Sequence, residues 1–342
     1  MSDVGPPLAT AAPSPGASGN LALYELQKPF VEPMLRLCRL TNTALDALFY
    51  DVGALTTTLL AQRTLINTGA PSNAAASGHP LQTLDLSAAT NPSGSVIVVD
   101  AQLPPFVRPP FRDMKQFMDY ANSPDGATLH TLAITGVGSS AYGAVAFAWD
   151  VSVAIGEPVA AVVPGYGLAD VVPQALGGWF GFGVYDALQS VTQRLLATFA
   201  PPLAMMGKEL ALSTPGRVPA ETGAPVFRHG SAASDDVHAI LGAVPGIKRL
   251  VGHSKGALAI ENALRSLTSP HAEGISVVTL GCVIAEEFPQ NRYQQYLGWF
   301  DALGMLNSWN PAGANRTFTH HSTNSAIPLS MQVASCVAPP AT

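Results

Sequence analysis

A chain of 342 residues is long enough for one domain of about 250 residues with appendages, or for two smaller domains. Only 12% of its residues are charged, against about 25% in typical soluble proteins, and 47% are hydrophobic. This composition predicts exposed apolar surface and favours contact with a lipid, a polyester or a protein partner. The formal net charge of -6, without a basic run, argues against a nucleic-acid partner.

The cysteines and the amino terminus predict the compartment. Cys38, Cys282 and Cys336 form no C-x-x-C pair and are odd in number, which indicates reduced thiols. The first residues lack the basic start and the apolar core of a secretory signal. The sequence contains no run of 18 or more apolar residues, so we predict no membrane span. We therefore expect a cytoplasmic protein.

The first 94 residues divide into three predicted segments. Residues 1–20 are rich in Pro, Ala, Gly and Ser and predict a disordered tail, while residues 68–94 predict a linker. Between them, residues 21–67 predict a helical extension, in which an amphipathic helix over 33–50 precedes a second helix over 52–66. The first helix either supports the main domain or binds the surface of a lipid body or polymer granule.

From residue 95 to the end, strand and helix patterns alternate, which predicts one α/β domain over 95–342. Apolar and β-branched runs predict buried strands over 95–100, 131–135, 158–163, 247–251 and 275–281. Helical patterns cover 112–120, 141–155, 235–241 and 257–264. The strand, helix and strand over 131–163 imply parallel strands joined by a right-handed crossover.

The turn that contains Gly136, Val137 and Gly138 has two competing interpretations. A G-x-G turn ahead of a helix is the pattern of a dinucleotide-binding loop, and the local sequence resembles that of short-chain dehydrogenases. The turn lies far from the amino terminus, however, and Pro164 and Gly165 stand where an acidic residue is needed. The alternative is that this turn lies beside a catalytic serine and donates backbone N–H groups to an oxyanion.

Residues 177–230 interrupt the alternation of strands and helices. Their first seven residues are rich in glycine and aromatic side chains, and an apolar helical pattern follows. A glycine-hinged, apolar insertion is typical of a lid or a substrate-binding cap. A helical pair that completes the core is the alternative.

The pentapeptide from Gly252 to Gly256 matches the G-x-S-x-G nucleophile elbow. A predicted strand precedes it and a predicted helix follows it, which is the context that the elbow requires. The two glycines are needed there because a side chain at either flank of the turn would collide with the neighbouring strand or helix. The pattern predicts that Ser254 is a nucleophile; its alternative role is that of a helix cap.

A serine nucleophile needs a base, and the base needs a partner that fixes its tautomer. Ser254 is followed along the chain by Asp301, after a strand-like approach, and by His320 and His321 in a polar loop. Ser, then Asp or Glu, then His is the chain order of the α/β-hydrolases. Either histidine fits this order.

From about residue 95 the chain resembles the serine lipases, esterases and polyester depolymerases of the α/β-hydrolase superfamily. The resemblance implies a mostly parallel sheet flanked by helices, with Ser254 as nucleophile, Asp301 as acid and His321 as base. It also implies that the oxyanion hole is formed by the N–H group of Lys255 and by that of Val137 or Gly138. Polyester synthases resemble this fold but have cysteine at the elbow, so the serine favours hydrolysis.

Several alternatives remain open at this point. Glu286 and Glu287 rival Asp301 as the acid, and the base is His320 or His321. His253, beside the nucleophile, fits packing of the elbow better than a role as base. No metal-binding spacing of histidines occurs, so we expect neither a metal nor a cofactor.

The sequence therefore predicts a hydrolase of carboxylic esters with a lipid, acyl or polyhydroxyalkanoate-type substrate. The first alternative is a protein without catalytic activity that binds a lipid or polymer granule on a hydrolase scaffold. A dehydrogenase-like oxidoreductase is the third.

Overall fold

The computed structural model describes residues 46–57, 95–102, 105–108, 110–111, 113–136, 139–164, 232–265, 267, 273–284, 287–308 and 311–337. The predicted tail over 1–20, the linker over 68–94 and the insertion over 177–230 lie entirely outside these ranges. The described part of the chain belongs to the α/β class. Its centre is a mixed, mostly parallel sheet of eight strands with helices around it.

The strands are numbered along the chain: β1 Val96–Asp100, β2 Phe106–Val107, β3 Thr131–Ile134, β4 Val159–Val162, β5 Arg249–His253, β6 Ser276–Leu280, β7 Arg292–Gly298 and β8 Asn315–Thr317. Their order across the sheet is β2-β1-β4-β3-β5-β6-β7-β8. Strand β1 is antiparallel to both of its neighbours, β2 and β4, and the six strands from β4 to β8 in the sheet order pair in parallel.

The α-helices that follow β2 are α1 Met114–Ala121, α2 Ala141–Ile155, α3 Ala232–Ala243, α4 Lys255–Arg265, α5 Ala302–Asn307 and α6 Val333–Val337. Two short helical segments, 46–49 and 52–57, precede the sheet. None of the helices in the described ranges is long and apolar enough to cross a membrane.

The sequence explains the central strands and the helix that crosses between two of them. Strands β3 and β4 are buried along their whole length, as the apolar runs predict for parallel strands that are covered on both faces. Helix α2 is buried on nearly every side, begins at the capping hydroxyl of Ser140 and ends at Gly156 in the left-handed region. The parallel pairing of β3 with β4 confirms the predicted strand-helix-strand unit.

Two edge strands were not predicted. Strand β2 has two residues and lies in a proline-rich stretch, and β8 has three residues in a segment that reads as a loop. Neither has room for an alternating pattern, so only pairing with β1 and β7 defines them.

Two of the three cysteines lie within the described residues. Cys282 and Cys336 are both buried, and neither forms a disulfide there.

The sheet order has a reversal at β3. After β3 the chain adds β4 on one side, and it later adds β5 on the other side of β3. In open α/β sheets, ligands bind beyond the carboxyl ends of the strands at such a reversal. Gly136 follows β3 and Ser254 follows β5.

Candidate active site

Ser254 lies on the sharp turn between β5 and α4. Its backbone φ is +54°, a left-handed conformation that side-chain-bearing residues rarely adopt, and its N–H donates to the carbonyl of Leu280 at 2.8 Å. A Cβ at Gly252 would approach the backbone of Ala257 to 2.8 Å, and one at Gly256 would lie 2.2 Å from the carbonyl oxygen of Ile134. Both glycines are therefore required by the close packing of helix and strands.

Two hydrogen bonds connect the serine to a histidine and a carboxylate. The Nε2 atom of His321 lies 2.9 Å from Oγ of Ser254, and its Nδ1 atom lies 2.8 Å from Oδ1 of Asp301. The carboxylate can only accept, so Nδ1 carries the proton and donates to it. The lone pair of Nε2 then faces the serine hydroxyl, which is the arrangement that a general base needs.

Asp301 is held in place by the loop that follows β7. Its side chain is fully buried, caps helix α5 and accepts the N–H of Gly304 through Oδ1. No described group hydrogen-bonds to its Oδ2. Gly281 and Gly304 leave the space for this carboxylate, because a Cβ at either position would lie within about 3.1 Å of Oδ2.

The rival residues lie elsewhere. His320 is occupied by its own loop, with Nε2 donating to the carbonyl of Pro328 at 2.8 Å and Nδ1 accepting the N–H of Ser322. Glu287 is exposed and accepts from the side-chain amide of Gln295. Glu286 lies outside the described residues. The geometry therefore brings His321 and Asp301 to Ser254, and brings neither His320 nor Glu287 there.

The residues expected to bind an oxyanion are described only in part. Lys255 is the first residue of α4, so its backbone N–H has no carbonyl four residues earlier in the helix to bond. Val137 and Gly138 lie outside the described residues. Gly136, just before them, faces the nucleophile: a Cβ there would lie 3.2 Å from Cβ of Ser254. Its N–H donates to the hydroxyl of Tyr50 and is not directed to an oxyanion.

His253 is almost fully buried beneath the serine. Its Nδ1 atom lies 2.9 Å from the hydroxyl of Tyr50, and its Nε2 atom lies 2.8 Å from the carbonyl oxygen of His321. Burial, and secondly the charge of His321, lower the pKa of His253 to about 3. A neutral imidazole with both nitrogens occupied cannot act as a base, which agrees with the expected packing role.

The amino-terminal segment around residues 47–51 packs against the loop that carries His321. Its backbone carbonyls at 47, 48 and 49 accept hydrogen bonds from the side chains of Asn324, Ser322 and Thr323. The ring of Phe49 meets the imidazole of His321 edge-on, with centroids 5.8 Å apart. The end of the predicted amphipathic helix is thus a wall of the site.

Asp46 connects this segment to the turn before α2. Its carboxylate accepts the hydroxyl of Ser139 at 2.8 Å and the N–H of Ser140 at 2.7 Å. A Cβ at Gly143 would lie 2.4 Å from the carboxylate, so that glycine makes room for it. Burial raises the pKa of Asp46 to about 6, against the opposing effect of these hydrogen bonds.

Asp150, on α2, gives a prediction on stability. Burial, and secondly the charge of Asp51, raise its pKa to about 8. A raised pKa favours the protonated folded state, so this contribution to stability is full below about pH 4 and is lost as the pH rises through 8. We expect Asp150→Asn to raise Tm by about 3 °C or more at pH 9, and by less at pH 5. Thermal melts at both values measure this, and an equal shift at both would contradict it.

No group of three or more His, Cys, Asp or Glu side chains that could hold a metal ion occurs in the described ranges. The groups that the described site does bring together are a serine hydroxyl, an imidazole, a carboxylate and a backbone N–H group. These are the components of nucleophilic catalysis with general-base assistance.

Sequence reasoning missed four residues that shape the site. Gly281 and Gly304 belong to no motif, although Gly281 is the last residue of a predicted strand and has a φ of +67°. Tyr50 and Asp46 lie in the predicted extension, and nothing in the sequence indicates that they reach the serine.

Comparisons with known protein families, with curated proteins and with solved structures found no match for this chain.

Proposed function

We propose that the protein is a serine hydrolase of carboxylic esters with the α/β-hydrolase fold. The observation that carries the proposal is the continuous hydrogen-bonded set of Ser254, His321 and Asp301 on a strand-turn-helix elbow. Its two bonds of 2.9 and 2.8 Å are within the range expected for a nucleophile, its base and the group that orients the base. The position at the carboxyl ends of β3 and β5 adds support, because ligands bind at such a reversal.

The first half of the proposed reaction acylates the enzyme. Oγ of Ser254 attacks the ester carbonyl carbon while its proton passes to Nε2 of His321. The carbonyl oxygen becomes an oxyanion, for which the N–H of Lys255 is the described candidate donor. The tetrahedral intermediate then collapses, the C–O bond to the alcohol breaks, and the alcohol leaves with the proton from Nε2.

The second half releases the acid. A water molecule gives a proton to Nε2 of His321 and its oxygen attacks the acyl carbon. The second tetrahedral intermediate breaks the bond to Oγ, which recovers its proton from Nε2, and a carboxylic acid leaves. Throughout, Asp301 keeps the imidazole in one orientation and stabilises its charged form without taking its proton.

The surroundings of Asp301 support an apolar substrate. The loops at the carboxyl ends of β7 and β8 carry three large exposed aromatic side chains, Trp299, Phe300 and Phe318. The rings of Phe300 and Phe318 pack edge to face, with centroids 4.7 Å apart. Exposed apolar groups of this size are typical of binding surfaces, which fits a lipid, acyl or polyester substrate.

The test of this proposal is covalent labelling with a fluorophosphonate, which reacts with serines that a base activates. We expect one equivalent of probe on Ser254, found by peptide mapping, and none on Ser254→Ala. The matched control is Ser123→Ala, which removes a half-buried hydroxyl that donates to the carbonyl of Tyr120 ahead of β3 and should leave labelling unchanged. Absence of labelling in a folded wild-type protein would contradict the proposal.

The two alternatives gain no specific support. A dehydrogenase-like enzyme needs a Tyr-x-x-x-Lys pair; this spacing occurs once, at Tyr24 and Lys28, outside the described residues and far ahead of the glycine turn. Binding to a granule without catalysis would need the helix predicted over 33–50, and residues 33–45 also lie outside them. Neither alternative explains why a serine, a histidine and an aspartate are joined by hydrogen bonds.

A further inference from the structure

We propose that Tyr50, acting through His253, is a positioning residue for the base His321. This inference rests on the proposed function, because it concerns how the hydrolytic site is assembled. It assigns to the amino-terminal extension a part in the reaction, in addition to packing.

The hydrogen bonds form one directed chain. The carbonyl oxygen of His321 can only accept, so Nε2 of His253 carries the proton and donates to it over 2.8 Å. Nδ1 of His253 must then accept, and the hydroxyl of Tyr50 donates to it over 2.9 Å. The oxygen of Tyr50 accepts in turn the N–H of Gly136 at 3.1 Å. The hydroxyl of Tyr50 and both ring nitrogens of His253 are therefore all hydrogen-bonded.

The two ends of this series of hydrogen bonds belong to the base and to the oxyanion turn, which must stay at a fixed distance from each other. One end is the backbone of His321, whose imidazole reaches Oγ of Ser254. The other is Gly136, which lies against Ser254 and leads into the residues expected to bind the oxyanion. Because both ends are joined through Tyr50 and His253, a movement of the base relative to the oxyanion turn must break a buried hydrogen bond.

Packing keeps the two linking side chains in place. Tyr50 and His253 are each at most 3% exposed, and their rings meet edge-on with centroids 5.3 Å apart. The ring of Phe147, from α2, lies 5.8 Å from each of them. The pKa of His253 is held low and that of Tyr50 is raised by burial, so both groups stay neutral at ordinary pH. The direction of the chain is therefore fixed.

This assignment changes the design of truncation experiments. A deletion through residue 60, meant to remove a surface-binding helix, would also remove Tyr50 and the carbonyls that hold the His321 loop. We therefore expect such a deletion to lower the hydrolysis of small esters as well as any binding to a surface.

The test compares Tyr50→Phe with Tyr293→Phe in the full chain. Tyr50→Phe keeps the ring contacts and removes only the hydroxyl, so we expect kcat for a p-nitrophenyl ester to fall about tenfold, with KM changed less than twofold. Tyr293→Phe is the matched control, because its half-buried hydroxyl also accepts a backbone N–H, that of Phe288, away from the site. It should change neither constant, although both variants lower Tm.

A second variant makes the result decisive. His253→Phe breaks the same chain at its next link, so its effect on kcat and that of Tyr50→Phe should not multiply in the double variant. Wild-type kcat in Tyr50→Phe, or multiplied effects in the double variant, would overturn the positioning role while Ser254-dependent hydrolysis stood. Absence of Ser254-dependent hydrolysis in the wild type would instead overturn the proposed function.

Discussion

Replacing Ser254 with alanine is expected to lower kcat for the hydrolysis of p-nitrophenyl esters by about 10³-fold or more. The hydroxyl is the only described group at the elbow that can form the acyl-enzyme, and its hydrogen bond to Nε2 of His321 prepares it for attack. The variant loses a single oxygen atom from a half-buried side chain, so its Tm should change little. Steady-state kinetics with a melt on the same sample measure both effects.

The neighbouring residues offer matched controls for the rest of the set. His321→Ala should lose about as much activity as Ser254→Ala, while His320→Ala, one residue away and hydrogen-bonded only within its loop, should stay within a few-fold of wild type. Asp301→Asn should likewise be far more damaging than Glu287→Gln. Equal losses within either pair would contradict the assignment.

Groups that act in one proton transfer are not independent. Once the nucleophile is gone, the base has no proton to receive, so the double variant of Ser254 and His321 should be no slower than the worse single variant. Multiplied losses would mean that the two residues contribute separately. In that case their 2.9 Å contact would be a packing feature and the site would need another nucleophile.

The elbow could be predicted from sequence because all of its determinants are local. A strand, two glycines around a serine and a helix lie within about twenty residues, and each glycine is explained by a contact with the immediately adjacent elements. The central strands follow for the same reason, since burial on both faces requires apolar runs. Short edge strands such as β8 have no such local requirement.

The order of residues along the chain reduces the candidates for the acid and for the base to a few, but it does not identify which candidate has each role. His320 and His321 are adjacent, so their rings point different ways, and only the loop geometry decides which one meets Ser254. Asp301 is selected by the space that Gly281 and Gly304 leave around it. Gly304 is only three residues from Asp301, but the contacts of Asp301 with Gly281 and His321, and that of His321 with Ser254, join residues 20 or more positions apart, which no local pattern encodes.

Tyr50 shows most clearly which part of the site cannot be predicted from the sequence. It is 203 residues from His253 in sequence, and it is the last residue of the helix predicted over 33–50, whose apolar periodicity suggests only a packing or surface-binding role. The hydroxyl and the imidazole become partners because the amino-terminal segment is seated on the His321 loop by carbonyls, which are present in every sequence. Backbone acceptors leave no trace in the composition, so this part of the site could not be predicted from the sequence.

Gly256→Ala is expected to be the most destabilising single substitution in the elbow. Its Cβ would lie 2.2 Å from the carbonyl oxygen of Ile134 and 2.7 Å from that of Thr135, both backbone atoms of the strand end that carries Gly136. Neither can turn aside as a side chain would, so α4 must move off the sheet. We expect a loss of about 3 kcal/mol or more in the free energy of unfolding, measured by chemical denaturation.

The control for this prediction is the same substitution in a helix with open space. Gly242 lies in α3, and the nearest heavy atom to its added Cβ is a methyl carbon of Leu267 at 4.0 Å. Gly242→Ala should therefore stabilise the protein by roughly 0.5–1 kcal/mol, because alanine restricts the unfolded chain and favours helix. If both variants were equally stable, α4 would not be packed against β3 as described. The nucleophile would then lack the support that holds its strained backbone at a φ of +54°.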